Sequence, residues 1–244
     1  MAESTTGLSS ARRDGVLWLS FDRPRAGNAV NADVAQALAD ALAEAGKDAA
    51  TEAVVLTGAG EKIFSAGIDV KNPDNLPHEA LAARRRGAVE HCLEAILAFD
   101  KPLLAAVNGY AIGLGFMLAL LTDRVIAADS AVFSLPEIDI NIPTFLGISM
   151  VTRAGGAALA SDLVLSGRRM GVAEAHARAL IAEVVPAAEL AATAQKAASM
   201  LAAKPKAAYA LNKQWMKRGL REEFAAANAR SAEIQGLLAK GLKQ

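Results

Sequence analysis

The sequence is poor in several residue types on which many protein classes depend. Its 244 residues include one cysteine and three histidines. A single cysteine cannot form an internal disulfide framework and leaves too few thiolates for a zinc or iron–sulfur cluster. Aromatic residues make up only 5% of the chain, whereas small apolar residues are abundant, which favours closely packed helices over an aromatic binding platform. We therefore expect no metal site.

The chain also has no excess of charge of either sign. It carries 26 basic and 26 acidic side chains and a formal net charge of zero, which argues against a broad nucleic-acid or lipid-binding surface. The first fifteen residues contain no apolar segment, so we expect a cytoplasmic protein. The uncharged stretch Pro102–Thr122 has membrane length, but the turn signal Asn108-Gly109 interrupts it. A buried strand, a turn and a buried helix are predicted there instead of a span.

Short apolar runs alternate with helical patterns along the first two-thirds of the chain, which predicts an α/β fold. Asn31 is predicted to cap the first helix, and the apolar run Ala53–Thr57 is typical of a strand covered on both faces. The predicted strands are Val16–Phe21, Ala53–Thr57, Leu103–Val107, Arg124–Ala128 and Ala131–Leu135, and the predicted helices are Asn31–Ala45, Glu79–Ala98 and Gly113–Leu121.

The C-terminal part has a different character. From about Ala188 the pattern is almost wholly helical, interrupted by Pro205. We predict a core over residues 1–187 and a helical oligomerisation region over residues 188–244. This region either folds over the core or packs on a partner subunit.

The segment Thr57–Asp69 contains two glycine turns. Gly58-Ala-Gly60 matches neither the dinucleotide fingerprint nor the phosphate loop, and Ser65 is not in a Gly-x-Ser-x-Gly elbow. The turn that ends at Gly67 can present the backbone N–H of the next residue. An ordinary loop is the alternative interpretation.

A second glycine pair, Gly113 and Gly115, lies where an apolar helix is predicted to begin. The unpaired N–H groups of a helix N-terminus can hold an oxyanion. Close packing of the helix is the alternative explanation for these glycines.

Two carboxylates, Glu137 and Asp139, follow Pro136 in an apolar setting. They would share a face if the segment were extended. Apolar surroundings should raise the proton affinity of such a carboxylate, as a general acid or base requires. Solvated acids at the end of an element are the alternative.

Together, the three segments resemble the crotonase family of enoyl-CoA hydratases and isomerases. The matching motifs are Phe-Ser-Ala-Gly-Ile-Asp, Lys-Pro-x4-Val-Asn-Gly-Tyr-Ala-x-Gly-x-Gly and Ala-Asp-x-Ala-x-Phe-x-x-Pro-Glu. The segments Leu165–Met170, Ala173–Ala175 and Glu183–Pro186 are similar to the helices that follow in that family, so the resemblance extends from Val16 to the C-terminus. It implies a spiral of ββα units with a helical C-terminal region.

The resemblance also implies the ligand and the assembly. The substrate would be an acyl-CoA thioester, with coenzyme A as part of the substrate and no separate cofactor. The chain would form a homotrimer or a dimer of trimers.

Site roles follow from the same resemblance. The thioester carbonyl would lie between the backbone N–H groups of Ile68 and Leu114, beside Gly113. The glutamate of the Pro-Glu motif is Glu137. Met117 stands where the family's hydratases carry a second glutamate.

This departure bears on the reaction, because water addition favours two carboxyl groups whereas moving a double bond needs one base. The segment that begins at Glu137 and ends at Phe145 also looks like the isomerase branch. We therefore predict a Δ3,Δ2-enoyl-CoA isomerase. A 2-enoyl-CoA hydratase stays open, with Asp139 as a possible second acid. Thioester hydrolysis, decarboxylation and a homologue that binds acyl-CoA without turnover also remain open.

Further residues are placed by the resemblance or by pattern. The residues near the nucleotide of coenzyme A would be Arg25, Ala26, Ala66, Asp69 and Lys71. The side chains walling the acyl pocket would be Met117, Ile142 and Phe145. We predict a solvated helix face for Arg84–Arg86, with phosphate binding as the alternative, a core position for Cys92, and no role for His78, His91 and His176.

Overall fold

The computed structural model of the chain describes residues 6–71 and 75–239. Its strands are β1 (Leu8–Arg13), β2 (Val16–Phe21), β3 (Ala53–Gly58), β4 (Ile63–Ser65), β5 (Leu103–Val107), β6 (Tyr110–Ile112), β7 (Arg124–Ala128), β8 (Val132–Ser134), β9 (Met170–Gly171) and β10 (Glu183–Val185). Its α-helices are α1 (Ala32–Lys47), α2 (His78–Ala98), α3 (Leu114–Leu120), α4 (Phe145–Gly155), α5 (Ala157–Ser166), α6 (Val172–Ala177), α7 (Leu190–Ala202), α8 (Lys206–Met216) and α9 (Leu220–Ala239). Short 3-10 helices span Pro24–Ala26, Pro136–Ile140 and Ala187–Glu189.

The described strands form two sheets, in the orders β1-β2-β3-β5-β7-β10 and β4-β6-β8-β9. All pairings are parallel except β1 with β2 and β8 with β9. The successive pairs β3/β4, β5/β6 and β7/β8 each place one strand in each sheet. This alternation of strands between the two sheets confirms the predicted α/β spiral.

The larger sheet is covered on both faces, as the apolar run in β3 predicts. Val54 and Leu56 belong to the main core, which also contains buried residues of α1 and α2. Val55 points to the opposite face and packs in a second cluster with Leu190 and Ala194 of α7. Alternate side chains of one strand thus reach two cores, because successive strand residues point to opposite faces.

Local signals placed several elements correctly. Asn31 caps α1, and its side chain accepts a hydrogen bond from Val34 N–H at 3.0 Å. Cys92 is fully buried in the main core, as predicted, and burial raises the pKa of its thiol to about 12.

Two segments differ from the sequence prediction. Glu183–Val185 is not part of a helix but forms β10, which pairs with β7 at the edge of the larger sheet. The polar segment Leu8–Arg13 forms the opposite edge strand, β1. Edge strands need little apolar patterning because much of their surface faces solvent.

The C-terminal helices fold back over the rest of the chain. Helix α7 covers one face of the larger sheet, and α9 packs against α2 and α4. Pro205 separates α7 from α8, as predicted. Residues 1–5 and 240–244 of the predicted regions lie outside the described part, and the boundary at residue 188 stays a prediction.

Within the described part, no helix is both long and apolar enough to cross a membrane. The uncharged segment Pro102–Thr122 instead contains β5, β6 and the whole of α3.

Candidate active site

The three motifs meet because each follows a strand of the smaller sheet. Gly67 comes after β4, Gly113 after β6 and Glu137 after β8. These three strands are parallel neighbours, so their carboxyl ends lie at the same edge of the sheet. Segments separated by up to seventy residues in sequence therefore converge on one place.

The backbone after Gly67 is held in an extended geometry by Val30. Val30 N–H donates to Gly67 O at 2.8 Å, and Asp69 N–H donates to Val30 O at 2.9 Å. In a parallel pairing these two bonds use the carbonyl oxygen of the residue before Ile68 and the N–H of the residue after it. The N–H of Ile68 itself therefore points away from Val30.

Gly67 brings this segment against the start of α3. Its φ is +92°, and a Cβ there would stand 2.8 Å from Ile112 O and 3.3 Å from Leu114 N. Both the conformation and the space require glycine. The turn around Gly67 is supported by Ser65, whose buried hydroxyl accepts a hydrogen bond from Gly67 N–H at 3.2 Å.

Leu114 is the first residue of α3. Gly113 N–H donates to Ser134 O at 2.9 Å, and the first helical bond runs from Met117 N–H to Gly113 O at 3.1 Å. The N–H of Leu114 precedes that bond and lies at the positive end of the helix. Gly115 lets α3 approach β4, because a Cβ there would stand 2.6 Å from Ser65 O.

Glu137 lies in the 3-10 helix after β8, and its carboxylate is largely removed from water. Its Oε2 is buried and has no hydrogen-bond partner among the described residues. Burial raises the pKa of Glu137, and a backbone hydrogen bond opposes only part of this effect. This increase in the pKa of Glu137 agrees with the prediction made from its apolar neighbours. A carboxylate with a raised pKa can accept and return a proton near neutral pH.

Asp139 does not share this environment. Pro136–Ile140 is a 3-10 helix and not an extended segment, so residues two apart point in different directions. Asp139 is exposed, and its carboxylate lies against Gly167 instead of lining the cavity described below.

One cavity of about 250 Å³ contains the central predicted groups. Ile68, Leu114 and Glu137 line it together, and Met117, Ile142 and Phe145 are also part of its wall. Met117 is almost fully buried, and its Cε lies 3.2 Å from where a Cβ on Gly147 would stand. Among the described residues lining this cavity, Glu137 is the only acidic one.

The predicted nucleotide-contacting residues lie outside this cavity. Lys71 and Asp69 line a smaller cavity of about 80 Å³, which shares Ile68 and Arg85 with the larger one. Arg25 and Ala26 are in the first 3-10 helix, whose neighbour Gly27 accepts a hydrogen bond from Ala66 N–H at 2.9 Å.

Asp69 is engaged by protein groups. Arg23 donates to Asp69 Oδ2 at 2.8 Å, and Lys71 N–H donates to Oδ1 at 3.0 Å. Burial alone would raise the pKa of Asp69, but these hydrogen bonds and the two cations hold it below its usual value.

Sequence reasoning missed part of the cavity wall. Arg85 and Arg86 are half-buried and line the cavity, whereas Arg84 is exposed, so the prediction of a fully solvated arginine run is wrong for two of its three members. Asn228 and Ser231 of α9 line the same cavity. No local motif marks these residues, because α9 reaches the site only through tertiary packing.

The described residues contain no group of three or more His, Cys, Asp or Glu side chains placed to hold a metal ion. His91 and His176 are outside the cavity, and the side chain of His78 lies outside the described residues.

The same fold occurs in solved structures of acyl-CoA enzymes. The crystal structure of an enoyl-CoA hydratase from Mycobacterium avium subsp. paratuberculosis K-10 superposes with a TM-score of 0.82 at 30% identity, covering 96% of this chain and 90% of that one. The sequence profile described as enoyl-CoA hydratase/isomerase matches residues 11–240. The chain belongs to this family, the crotonases.

Two relatives match over most of the chain. A crotonyl-CoA hydratase from Syntrophomonas wolfei subsp. wolfei is 34% identical over 239 residues, which is 97% of this chain and 90% of the relative. A carnitinyl-CoA dehydratase from Escherichia coli K12 is 37% identical over 202 residues, or 82% of this chain and 75% of the relative. Both names denote hydration or dehydration. They support the hydratase alternative better than the predicted isomerase.

Proposed function

We propose that the chain hydrates a 2-enoyl-CoA thioester, or catalyses the reverse dehydration, with Glu137 as the acid–base group. The main support for this proposal is that one cavity contains Glu137 together with Ile68 and Leu114. The backbone N–H groups of Ile68 and Leu114 would face the oxyanion. The names of the relatives favour hydration over other reactions of the family.

The two N–H groups would stabilise the negative charge that develops on the thioester oxygen. The α-carbon of a thioester can gain or lose a proton readily only if the enolate oxygen is stabilised, and one such donor contributes about 3 kcal/mol to the transition state. Because both donors belong to the backbone, the side chains of Ile68 and Leu114 remain available to wall the cavity.

Glu137 can carry the whole proton transfer. As the water oxygen bonds to C3, the Glu137 carboxylate accepts one water proton. It then returns this proton to C2 as the enolate collapses, so that the carboxylate is regenerated and water has been added across the double bond. A raised pKa suits this double role because the group must both accept and donate the proton.

Δ3,Δ2-Isomerisation is the second candidate, and Met117 is the observation that favours it. The resemblance aligns Met117 with the second glutamate of the hydratases, and its uncharged side chain is in the cavity wall. With one carboxylate available, Glu137 would take a proton from C2 of a 3-enoyl thioester and return it to C4.

One assay series separates these reactions. Purified protein is offered 2-enoyl-CoA and 3-enoyl-CoA thioesters of several chain lengths, beginning with crotonyl-CoA, and hydration, isomerisation and deuterium uptake at C2 are followed. We expect hydration that Glu137→Gln abolishes while thioester binding survives. Isomerisation without hydration would contradict the main proposal, and full activity of Glu137→Gln would exclude Glu137 as the acid–base group.

The assembly, the location and the coenzyme A contacts belong to the same proposal. We expect a homotrimer or a dimer of trimers in the cytoplasm, with Lys71 near the phosphates of coenzyme A. Light scattering coupled to gel filtration measures the oligomeric state. The affinity of Lys71→Gln for coenzyme A tests the role of Lys71.

A further inference from the structure

The cavity contains a buried hydroxyl group that the proton transfer described above does not use. Thr144 lies immediately before α4, and only 8% of its surface is exposed. Of the buried polar residues in the described part of the chain, it is the one that lines this cavity. A buried hydroxyl group costs free energy unless it has a hydrogen-bond partner, so the partner of Thr144 bears on what the cavity binds.

The hydroxyl group of Thr144 does not cap its helix. Thr144 occupies the N-cap position of α4, where a threonine side chain ordinarily accepts a hydrogen bond from a backbone N–H of the first turn. No such bond forms here, and ψ of Thr144 is +65°. Asn31, at the same position of α1, has ψ −177° and does accept a hydrogen bond from Val34 N–H. None of the described residues forms another hydrogen bond with the Thr144 hydroxyl group, which is therefore available to a molecule in the cavity.

Thr144 lies close to Met117, which stands where the hydratases carry their second glutamate. A Cβ on Gly147 would stand 2.6 Å from Thr144 Oγ1 and 3.2 Å from Met117 Cε. The hydroxyl group and the methyl end of Met117 therefore lie around the same point of the cavity wall. That methyl group cannot hydrogen-bond to water, whereas the neighbouring hydroxyl group can.

The other uncharged polar residues of the described lining are less suited to hold a reacting molecule. The side chains of Asn228 and Ser231 already donate hydrogen bonds to protein groups, and Asn141 is exposed. Thr144 combines burial with an unused hydroxyl group. It is therefore the group in this lining from which a second polar contact to the reacting atoms is expected.

We propose that the Thr144 hydroxyl group holds the water molecule that adds to C3. This inference rests on the proposed function, because it assumes hydration with Glu137 as the acid–base group. One hydrogen of the water is bonded to Thr144 Oγ1 and the other to the Glu137 carboxylate, which leaves a lone pair of the water oxygen free to attack C3.

The proton balance of the reaction is unchanged by this contact. As the bond from oxygen to C3 forms, the π electrons of the C2=C3 bond move towards the thioester oxygen, and Glu137 takes one water proton. Glu137 then returns that proton to C2. Thr144 accepts a hydrogen bond and keeps its own proton throughout, because an aliphatic hydroxyl group is too weak a base to be protonated near neutral pH.

The test separates water addition from proton transfer at C2. Hydration of crotonyl-CoA needs a water molecule held at C3. Deuterium exchange at C2 of the saturated thioester butyryl-CoA in D₂O needs Glu137 and the two backbone N–H groups, but no addition of water. Thr144→Val keeps the shape of the side chain and removes the hydroxyl group. We expect it to lower kcat for hydration about tenfold, the effect of one hydrogen bond, and to leave the rate of C2 exchange unchanged.

Further measurements distinguish water binding from a structural role. Thr144→Ser keeps the hydroxyl group and should retain most of the hydration rate. Thr144→Val should melt at no lower temperature than the wild type, because it removes a buried hydroxyl group that has no partner in the protein. Thr152→Val is the matched control, because Thr152 is an exposed residue of α4 and the variant should leave both hydration and exchange unchanged.

Three results would overturn the inference: an unchanged kcat for hydration in Thr144→Val, an equal loss of hydration and C2 exchange, or a loss confined to KM. The second would assign Thr144 to the placement of Glu137, and the third to substrate binding. Wild-type protein that exchanges deuterium at C2 and never hydrates crotonyl-CoA would refute the proposed function together with this inference. Hydration that Thr144→Val leaves intact would refute this inference alone.

Discussion

The carboxylate of Glu137 lies directly against the α-carbon of Gly113. A Cβ on Gly113 would stand 2.9 Å from Glu137 Oε1. Gly113 also has φ +53° and ψ −123°, a conformation that side-chain-bearing residues rarely adopt. The residue that immediately precedes α3 and the residue proposed as the acid–base group therefore constrain each other's position.

Gly113→Ala should impair catalysis more than folding. The added methyl group would displace the Glu137 carboxylate and shift the Leu114 N–H, so we expect kcat to fall by about 100-fold, the effect of losing one oxyanion donor. The strained conformation should cost about 1–3 kcal/mol of stability. Turnover and thermal denaturation measure the two effects. Gly87→Ala is the control, since nothing lies within 4 Å of a Cβ there, and equal effects of both variants would contradict the prediction.

The rate should depend on pH through Glu137. Its carboxylate must be ionised to accept a proton, and burial raises its pKa. The rate constant kcat/KM should therefore fall as the pH decreases through this raised value, at higher pH than an ordinary glutamate with a pKa of about 4.3 would give. A pH–rate profile measures this, and an acidic limb at the ordinary value would show that Glu137 is not the titrating group.

Glu137→Gln should stabilise the folded protein at neutral pH. A carboxyl group whose pKa is raised by folding favours the folded state below its unfolded pKa, and this contribution is lost as the pH rises through the folded pKa. At neutral pH the ionised, buried Glu137 is thus destabilising, and the amide removes this cost.

Melting temperatures measured across pH check this prediction. The advantage of Glu137→Gln should shrink as the pH falls through the raised pKa. Asp139→Asn, in the same 3-10 helix but exposed, should change stability by no more than about 0.5 kcal/mol. A destabilised Glu137→Gln variant at neutral pH would refute the argument.

Met117→Glu should move the acidic limb of the pH–rate profile to higher pH. The new carboxylate would face the same cavity as Glu137, and a like charge nearby disfavours ionisation of both groups. Met117→Leu conserves the apolar character and should leave the limb in place. An unchanged profile in Met117→Glu would mean that the two side chains do not interact in the cavity.

Asp123→Asn should be strongly destabilising, because it breaks a buried ionic network. Asp123 Oδ2 accepts hydrogen bonds from Leu103 N–H at 2.9 Å, Tyr209 O–H at 3.0 Å and Lys213 Nζ at 2.8 Å. Burial lowers the pKa of Lys213 to about 8, although Asp123 opposes the shift. Removing one partner of a buried pair costs about 3–5 kcal/mol.

Chemical denaturation gives the free energy of unfolding for this comparison. Glu233→Gln, which breaks the exposed pair with Arg230, should cost less than about 1 kcal/mol. A similarly small effect of Asp123→Asn would mean that the network does not anchor α8 to the core.

Much of the fold could be predicted because the signals are local. Val16–Phe21, Leu103–Val107 and Arg124–Ala128 are strands with the predicted bounds, and Asn31 caps α1 as predicted. Buried parallel strands are continuous apolar runs, and a cap depends on residues three apart. The edge strands β1 and β10 lack such signals.

The site was only partly predictable, for a different reason. Asp139 lies away from the cavity because its segment is a 3-10 helix. In an extended backbone Glu137 and Asp139 would share a face, and the sequence spacing alone does not distinguish the two conformations. The half-burial of Arg85 and Arg86 depends on the tertiary surroundings of their helix. A charge run in a helix has the same sequence whether it faces solvent or a cavity.

The amino-acid sequence by itself determined the chemistry that is available: the glycines at 67 and 113, the carboxylate of Glu137, and a methionine at 117. Only the tertiary structure decided how these groups act on one another. Parallel strands bring their carboxyl ends to one edge, and α2 and α9 help to wall the resulting cavity. Removal of Glu137 from water raises its pKa, and this desolvation arises from packing between segments distant in sequence.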